Sequence, residues 1–474
     1  MKDYQLIVIG GGAAGMTVAA GAANLGAKVA LVEKNKHLGG DCLHVGCVPS
    51  KALIAASKEA NAMMRAARVL GTEFNGGEHY QMSKARVDKA RAIIQDHDGT
   101  ERFEKIGVDV YIGEASFQSP TELKVGDDLL IGKKFVISTG SKPTVPPIDG
   151  LDQVPYLTNE TVFEEETLPE SLIVIGAGTV GLELAQSFVR LGSQVTVLEA
   201  QDAFLPKEDE DVSTYLKSQL EMAMRLKIGV KVNRVEEVDG RIRVTTEVDG
   251  ETVEYEADKL LMATGRVPRI DALRLDRANV QVTKGYIDVS SSYRTSQPHI
   301  FAIGDTIKTL PFTHAAGEEG KAVVANALFG LWNKVDYSKL PWITFTDPEV
   351  FHVGMTEKEA RERYGDDIET YEAKLSEVDR FIAERQEAGF VKVITKKNGK
   401  IIGAHAVGES AGDWMQIVVY AMQRGDKIGK LSRMIYPYPS RSEAVKKVTD
   451  LYWRKRLFES PLTELARRYF KLMQ

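Results

Sequence analysis

The alternation of apolar and polar residues along this 474-residue chain contains a pattern that occurs twice. "QLIVIGGGAAG", which ends at Gly15, and "SLIVIGAGTVG", which ends at Gly181, each begin with a β-branched apolar run that predicts a buried strand. A glycine-rich turn follows, then a helical segment. The next apolar runs, "KVALVE" and "QVTVLE", predict second strands that end at Glu33 and Glu199. The pattern therefore predicts two strand–turn–helix–strand units.

The glycines of both units have the G-x-G-x-x-G spacing that binds dinucleotides. They are Gly10, Gly12 and Gly15 in the first copy, and Gly176, Gly178 and Gly181 in the second. The first glycine permits a tight turn, the second lets the backbone approach a pyrophosphate, and the third lets helix and strand pack closely. The acid that ends the second strand can accept hydrogen bonds from ribose hydroxyls. We predict two dinucleotide sites rather than two doubly wound domains without a ligand.

Glu199 also favours one nicotinamide cofactor over the other. A carboxylate at this position repels the 2′-phosphate of NADPH. The stretch around it, "EAQDAFLPKEDED", is acidic and contains no arginine pair. The sequence therefore predicts NADH, with NADPH the less favoured alternative.

Three further apolar runs end in residues that suit a ligand site. "FVISTGSKP" (Phe135–Pro143) and "LLMATGRVP" (Leu260–Pro268) form a second repeated pair, and "IFAIGDT" (Ile300–Thr306) ends in Gly304 and Asp305. Ligands of open α/β sheets bind at the carboxyl ends of strands, which favours a ligand role for Asp305. The alternative is that Asp305 only caps a helix.

Composition restricts the class of protein. Hydrophobic residues make up 43% and charged residues 27%, as in ordinary globular proteins, and the net charge of −6 implies no broad basic surface for nucleic acid. The first residues, "MKDYQLIVIGGG", are too short an apolar run for a signal peptide or membrane span. Only two cysteines occur, Cys42 and Cys47, which argues against a secreted disulfide scaffold. A cytoplasmic location is the expectation.

Taken together, these motifs resemble the class I pyridine nucleotide–disulfide oxidoreductases, the flavoproteins that include glutathione reductase, dihydrolipoyl dehydrogenase and mercuric reductase. The resemblance extends over nearly the whole chain. It rests on "GGGAAG", "GGDCLHVGCVPSK", "STGSKP", "GAGTVGLELA", "ATGRVP", "IFAIGD" and "FTDPEVFHVGMTEKEA". Mercuric reductases are the members that "AQSFVRLGSQVTVLE" and "FTDPEV" resemble most.

The resemblance implies an α/β fold with two Rossmann-like dinucleotide-binding domains, for FAD and NAD, and a C-terminal α+β dimerisation domain. The expected boundaries are 1–150 for the first part of the FAD domain, 151–270 for the NAD domain, 271–340 for a central second part of the FAD domain, and 341–474 for the dimer-interface domain. The expected assembly is a homodimer in which the partner's C-terminal domain completes the active site.

The resemblance also assigns cofactor-binding residues. Those expected to bind FAD are Gly10, Gly12, Ala14, Gly15, Glu33, Gly40, Lys51, Ala115, Thr139, Gly140, Gly304 and Asp305. Those expected to bind NAD are Gly176, Gly178, Val180, Gly181, Glu199 and Gly265. No resident metal is expected.

The two cysteines are implied to form the redox-active disulfide of the family. Cys47, nearer the flavin, would take electrons from it as a thiolate, and Cys42 would be the interchange thiol that meets the acceptor. A helix N-terminus lowers a thiol's pKa, which agrees with this role. Zinc is disfavoured because two thiols and His44 do not complete a tetrahedral site. Lys51 is implied to lie beside the flavin and to pair with Glu183.

One position departs from most disulfide reductases of the family. They carry H-P-T-x-x-E near the C-terminus, whereas this chain reads "YPSRSE", so that Tyr438 replaces the catalytic histidine and Glu443 matches the glutamate. A phenol, with a pKa of about 10, is a poor base at neutral pH. Efficient reduction of lipoamide or glutathione disulfide is therefore not expected. Mercuric reductases also have a tyrosine here.

The sequence thus predicts an enzyme that passes electrons from NADH through FAD and the dithiol to a metal ion or a thiol or disulfide acceptor. Two mercuric reductase features are missing, an N-terminal metal-carrying domain and a C-terminal cysteine pair. Dihydrolipoyl dehydrogenase is the alternative, favoured by Glu199. An alternative of another class is a flavin-bearing redox sensor or a component docked in a complex.

Three features have no assigned role at this stage. Asp41 stands where the family usually has threonine; it could cap a helix, and it would oppose thiolate formation at Cys42. His44 could help hold a metal, although an ordinary polar helix residue is favoured. In the basic tail "YWRKRLFESPLTELARRYFKLMQ", one apolar face of a helix could contain Leu462, Leu465, Tyr469, Phe470 and Met473. That face could dock on the protein itself or contact an anionic membrane or a partner.

Overall fold

The computed structural model describes residues 2–248, 250–458 and 461–473. It divides into two compact units. Unit 1 comprises the chain up to Ala200 together with Gly229–Tyr337, and unit 2 comprises Gln201–Ile228 together with the chain from Ser338 onward. Within the described residues, no helix is long and apolar enough to cross a membrane.

The first dinucleotide-binding sheet of unit 1 has five parallel strands. In spatial order they are Ile300–Ala302, Phe135–Ile137, Leu6–Ile9, Val29–Glu33 and Val108–Ile112. Four of these strands are short and buried on both faces, which is why they read as continuous apolar runs, whereas Val108–Ile112 is partly exposed. Because Ile300–Ala302 returns to a sheet begun by the N-terminal strands, this layer is built from distant parts of the chain.

A second parallel sheet of unit 1 repeats the arrangement. It contains Gln194–Leu198, Ser171–Ile175 and Lys259–Met262 in this order. Four smaller sheets with antiparallel pairs complete the unit. One contains Ala115–Ser119, Glu122–Val125 and Asp128–Gly132, with Lys2–Tyr4 added in parallel, and another contains Lys231–Val238, Arg241–Val248 and Glu251–Ala257. The other two are pairs of short strands, Ser141–Pro143 with Arg266–Pro268 and Val282–Thr283 with Tyr286–Ile287.

The helices of unit 1 follow from the glycine motifs and from the cysteine stretch. They are Ala13–Asn24, Gly40–His44, Cys47–Leu70, Gly76–Asp98, Thr100–Lys105, Thr179–Leu191 and Thr313–Phe329. Ala13–Asn24 and Thr179–Leu191 each open directly after the second glycine of their motif, as the sequence predicts. The predicted α/β class is confirmed.

Close packing at the third glycine holds each of these two helices against its strand. A Cβ atom at Gly15 would lie 1.9 Å from the Gly10 carbonyl oxygen, and one at Gly181 would lie 2.1 Å from that of Gly176. Both distances are far below van der Waals contact, so any larger residue would push the helix away. The two copies therefore share a geometry as well as a sequence pattern.

Unit 2 is built on one antiparallel sheet with helices packed against it. Its strands, in spatial order, are Pro341–Thr344, Glu349–Gly354, Ile401–Gly408, Phe390–Lys396 and Ile368–Lys374. Its helices are Glu210–Glu221, Glu357–Tyr364, Asp379–Ala383, Ala411–Trp414, Gln416–Arg424, Ile428–Ser432, Glu443–Phe458 and Pro461–Leu472, and the short strand Arg225–Lys227 also belongs to this unit.

The tail is helical over Pro461–Leu472, which contains the predicted apolar face except for Met473, but only part of that face is described. Tyr469, Phe470 and Met473 are exposed. The side chains of Leu462 and Leu465 lie outside the described residues. Whether this face meets the protein's own surface, a membrane or a partner stays a prediction.

Buried charges join the Gln201–Ile228 segment to the sheet of unit 2. Lys392 is 4% exposed, and its ammonium lies 3.0 Å from Asp209, 2.6 Å from Asp211 and 3.2 Å from Glu357. Three carboxylates offset the desolvation of one buried cation, which would otherwise be costly. This network fixes the start of helix Glu210–Glu221 against the sheet.

A second buried cluster lies beside it. His352 donates through Nδ1 to Glu208 at 2.9 Å and through Nε2 to the Gly354 carbonyl at 3.0 Å, so its ring carries both protons and is cationic. Trp342 stacks on this ring at 3.6 Å between centroids and donates to the other oxygen of Glu208 at 2.7 Å. His405 approaches the same ring edge to face, at 4.4 Å.

The environment of His405 generates a prediction about stability. Burial, reinforced by the positive charge of His352, lowers the pKa of His405 from 6.5 to about 4. Between these two values the unfolded chain binds more protons than the folded one, so stability should rise with pH through this window, by about 3 kcal/mol from this residue. His405→Gln, whose amide can still donate to the Met355 carbonyl, should remove that part of the slope.

The measurement is urea unfolding at a series of pH values between about 4 and about 6.5. His97→Gln on helix Gly76–Asp98 is the matched control, because His97 is exposed. An unchanged slope in His405→Gln would show that His405 does not carry this dependence.

Candidate functional site

A cavity of about 530 Å³ lies in unit 1 at the carboxyl ends of the first parallel sheet. Cys42 forms part of its wall. Most of the residues that the sequence predicts to bind FAD also line it: Gly10, Gly12, Ala14, Glu33, Gly40, Ala115, Thr139, Gly140, Gly304 and Asp305. Residues from distant parts of the chain thus meet around one concave site.

The donors and acceptors of this cavity fit a dinucleotide. Helix Ala13–Asn24 has no side-chain cap at its N-terminus, so its first N–H groups are available to a pyrophosphate. Glu33 is buried and accepts from the backbone N–H of Gly11 at 2.8 Å, which holds the carboxylate at the mouth of the turn. Thr139 Oγ1 is buried and has no hydrogen-bond partner among the described residues. A bound FAD could satisfy these groups.

Two predicted FAD residues do not line the cavity. Gly15 lies beneath it, against Gly10, and allows the close approach of helix and strand. Lys51 lies one turn into helix Cys47–Leu70, and its ammonium is 2.7 Å from Glu183, which is 3% exposed. The predicted Lys51–Glu183 pair is present, and it connects the cysteine helix to helix Thr179–Leu191.

The second glycine motif reproduces the first in detail. Glu199 accepts from the backbone N–H of Ala177 at 2.8 Å, as Glu33 does from Gly11. A Cβ at Gly178 would meet nothing within 4 Å, so the backbone there is open to a ligand, and Val180 in the following turn is exposed. Gly265, at φ +115, lies between strands Lys259–Met262 and Arg266–Pro268 in a conformation that favours glycine. This arrangement could hold a second dinucleotide, with the ribose against Glu199.

The two thiols lie close together and differ in acidity. Cys42 is half-buried in Gly40–His44, while Cys47 is exposed and opens helix Cys47–Leu70. The hydrogen bond from Cys42, with further help from Thr313 and the charge of Lys51, outweighs burial and lowers the pKa of Cys47 to about 6. The same hydrogen bond, together with burial, raises the pKa of Cys42. At neutral pH the pair therefore holds one thiolate, on Cys47.

Thr313 is a functional candidate that sequence reasoning missed. Its hydroxyl lies 3.4 Å from Cys47 Sγ, although the two residues are 266 positions apart. No motif marks it, because a threonine before a helix is ordinary. Thr313 lies beside Cys47 only because the tertiary fold places the start of helix Thr313–Phe329 next to the cysteine helix.

Asp41 has other contacts than the sequence suggested, whereas His44 has the role that the sequence favoured. Asp41 does not cap a helix; its carboxylate pairs with Arg266 and Arg269. The His44 ring nitrogen Nε2 lies 2.9 Å from the Leu38 carbonyl, which is the ordinary polar role.

Tyr438 and Glu443 belong to unit 2. Tyr438 is exposed, and its hydroxyl donates to Asp379 at 2.8 Å. This hydrogen bond to a carboxylate raises the phenol's pKa, so still less of the basic phenolate is present at neutral pH. Glu443 begins helix Glu443–Phe458 and accepts from the Ser440 N–H at 3.3 Å, so it helps to cap that helix.

One group within the described residues has the composition of a metal site. Glu208, His352 and His405 each offer a ligand atom, and these atoms lie within 4.8 Å of one another. Both nitrogens of His352 already donate to oxygen acceptors, however, and Glu208 receives bonds from His352 and Trp342. The Glu208–His352 pair is therefore satisfied without a metal, whereas Nδ1 of His405 is buried and has no hydrogen-bond partner among the described residues.

Comparisons with known proteins agree with this arrangement. The family profile described as "Pyridine nucleotide-disulphide oxidoreductase" matches residues 4–320, and that of its dimerisation domain matches residues 340–449. Mercuric reductase of Lysinibacillus sphaericus is 34% identical, covering 94% of this chain and 82% of its own. Dihydrolipoyl dehydrogenase of Bacillus subtilis (strain 168) is 32% identical, covering 94% and 96%.

A solved structure is similar over the same span. The Cu(II) complex of the HOCl-induced flavoprotein disulfide reductase RclA from Escherichia coli has a TM-score of 0.84 and 28% identity, covering 95% of this chain and all of that one. The dimerisation-domain match supports a homodimer. Two glycine motifs, a dithiol at a helix N-terminus and these matches lead to one conclusion: the chain belongs to the FAD-dependent pyridine nucleotide–disulfide oxidoreductases and is mercuric reductase-like.

Proposed function

We propose that the protein transfers electrons from NADH, through FAD and a Cys42–Cys47 disulfide, to a soft metal ion or a thiol-reactive acceptor. The dithiol supports this most directly, since two neighbouring thiols share one thiolate that a lysine, a threonine and the other thiol stabilise. FAD, when bound, accepts a hydride from the nicotinamide and passes two electrons to the disulfide. Every other step is carried by residues of the chain.

The residues would divide the work as follows. Glu199 would orient the ribose of NADH, and the Lys51–Glu183 pair would hold a cation where negative charge develops on reduction. Cys47 would hold the thiolate and Cys42 would meet the acceptor. The reduced pair, one thiolate and one thiol, would pass two electrons to one Hg²⁺ ion, re-form the disulfide and release one proton.

The chemistry near the C-terminus favours a metal acceptor over a disulfide acceptor. Reduction of a disulfide requires a proton donor for the departing thiolate, and Tyr438 is a poor one because Asp379 raises its pKa. A soft metal needs ligands instead, which thiolates and a phenol supply. The Cu(II) complex of the solved relative also supports a metal among the acceptors. We further propose that Tyr438 is supplied by the second subunit of the homodimer.

Dihydrolipoyl dehydrogenase activity is the second candidate. Glu199 and a relative of that name support it, and Tyr438 opposes it. A role as redox sensor or docked component rests on the exposed aromatic residues of the tail alone. The four-part domain division at residues 150, 270 and 340 also remains part of the proposal.

An acceptor panel tests the proposed function. NADH-dependent turnover should be substantial with Hg²⁺ or Cu²⁺ and near background with lipoamide. Cys42→Ser and Cys47→Ser should each lower metal reduction at least about 100-fold, because either change removes the dithiol that must supply both electrons. Steady-state NADH oxidation measures this. Fast lipoamide turnover would favour the second candidate instead.

NADH oxidation with a dye that takes electrons directly from the flavin is the control for the cysteine variants. It should stay near the parent rate, because that path does not use the thiols. Full metal reduction in both serine variants would contradict the proposed electron path.

The thiolate on Cys47 yields a second prediction. Thr313→Val removes a hydrogen bond to that sulfur, so the thiolate titration of the reduced protein should move from about pH 6 to about pH 7. Ultraviolet thiolate absorbance against pH measures the midpoint. Thr283→Val, which changes an exposed threonine of a surface hairpin, is the matched control. A midpoint that stays with the control would show that Thr313 does not stabilise the thiolate.

Glu199 yields a third prediction, on the choice of nicotinamide. Glu199→Gln keeps an oxygen for the Ala177 N–H but removes the charge that repels a 2′-phosphate. The ratio of kcat/KM for NADH over NADPH should fall about tenfold. Glu237→Gln, which makes the same change at an exposed position of strand Lys231–Val238, is the matched control and should leave the ratio unchanged. Equal ratios in Glu199→Gln and the parent would exclude Glu199 as the selecting residue.

A further inference from the structure

The carboxylate that precedes the first cysteine is held by two arginines of the same unit. Arg266 pairs directly with Asp41 Oδ2, and Arg269 Nη1 lies 3.5 Å from Oδ1. Asp41 and Arg266 are both half-buried, with 31% and 26% of their side chains exposed. The two guanidiniums offset the negative charge of the Asp41 carboxylate and each contacts one of its oxygens. We therefore do not expect Asp41 to bind the electron acceptor.

Arg266 has three further contacts, which use its whole guanidinium. Nε donates to Ser141 Oγ at 2.7 Å, Nη2 to the Ser141 carbonyl at 2.9 Å, and Nη1 to Asn159 Oδ1 at 3.0 Å. Such a planar fork fixes the directions of all its partners at once, which a lysine ammonium cannot do. Arg266 is therefore anchored to the strand Ser141–Pro143 while it holds Asp41.

Asn159 carries the restraint to the far side of the cysteine loop. Its Nδ2 donates to the Val45 carbonyl at 3.2 Å, while its Oδ1 accepts from Arg266. The loop is thus held at Asp41, immediately before Cys42, and at Val45, two residues before Cys47. Both restraints lead back to one guanidinium.

We propose that Asp41, Arg266 and Asn159 form a clamp that fixes residues 41–47 in the conformation in which Cys42 and Cys47 can close their disulfide. The three act as positioning residues through the loop backbone, and the inference rests on the proposed redox role of the two thiols. The clamp keeps the effective concentration of one thiol at the other high, so it makes the disulfide harder to reduce.

Equilibration with dithiothreitol tests the clamp on the FAD-loaded protein without NADH or acceptor. In this exchange the protein disulfide takes two electrons and two protons from dithiothreitol, which becomes its cyclic disulfide. Asp41→Ala and Arg266→Gln should each shift the equilibrium about tenfold toward the protein dithiol. Arg266→Lys keeps the charge without the fork and should behave like Arg266→Gln, whereas Asp41→Asn keeps one acceptor oxygen and should be intermediate.

The double variant Asp41→Ala/Arg266→Gln separates a clamp from two unrelated effects. If both residues act through one contact, the double variant should shift the equilibrium no further than either single change. Asp276→Asn, which breaks an exposed ion pair with Arg274, is the matched control and should match the parent. Thiol content by mass spectrometry after alkylation gives the ratio, and thermal unfolding checks that each variant is folded.

Two results would overturn the clamp: single variants within about twofold of the parent, or shifts that add in the double variant. If Arg266→Gln does not fold, the comparison of Asp41→Ala with Asp41→Asn decides alone. A parent protein that forms no Cys42–Cys47 disulfide at all would instead overturn the proposed function.

Discussion

Close contact between helix and strand backbones is the constraint on which the site in unit 1 depends. At Gly15 and at Gly181 the helix lies so near the preceding turn that even a methyl group would not fit. This contact places an uncapped helix N-terminus at the end of each central strand. The acids Glu33 and Glu199 then meet the turns at the same distance in both copies. A cofactor site made of backbone groups needs this accuracy, since backbone groups cannot be re-aimed by a rotamer change.

The redox loop is built on that scaffold by side-chain contacts from distant parts of the chain. Lys51 connects the loop to helix Thr179–Leu191 through Glu183. Thr313, at the start of helix Thr313–Phe329, brings its hydroxyl to Cys47. Arg266, in the short strand Arg266–Pro268, pairs with Asp41. Each contact changes either the charge or the conformation at the thiols. The acidity of Cys47 is therefore a property of the whole unit, although both cysteines lie in one short stretch of sequence.

The buried charges of unit 2 follow a different logic. Lys392 is surrounded by carboxylates, and the cationic ring of His352 is satisfied by Glu208, Gly354 and Trp342. Such networks add little net stability, but they specify how the Gln201–Ile228 segment meets the sheet, because a buried charge without its partners is costly. The same cost explains why Glu208 and His352 lie together as a salt bridge, while His405, whose pKa is lowered, stays neutral beside them.

The sequence alone determined the elements whose signal is local. Glycine spacing, apolar runs and the acids that end them predicted both dinucleotide units, with their helices, glycines and acids, because each signal lies within one strand–turn–helix unit. The Lys51–Glu183 pair came from the family resemblance. The sequence could not reveal the contacts of Asp41, the donor Thr313 or the ion pair of His352, since their partners lie up to 266 residues away. Only the tertiary structure decides which distant charge faces a given group, because that depends on how sheets and helices pack rather than on the residues next to it in the chain.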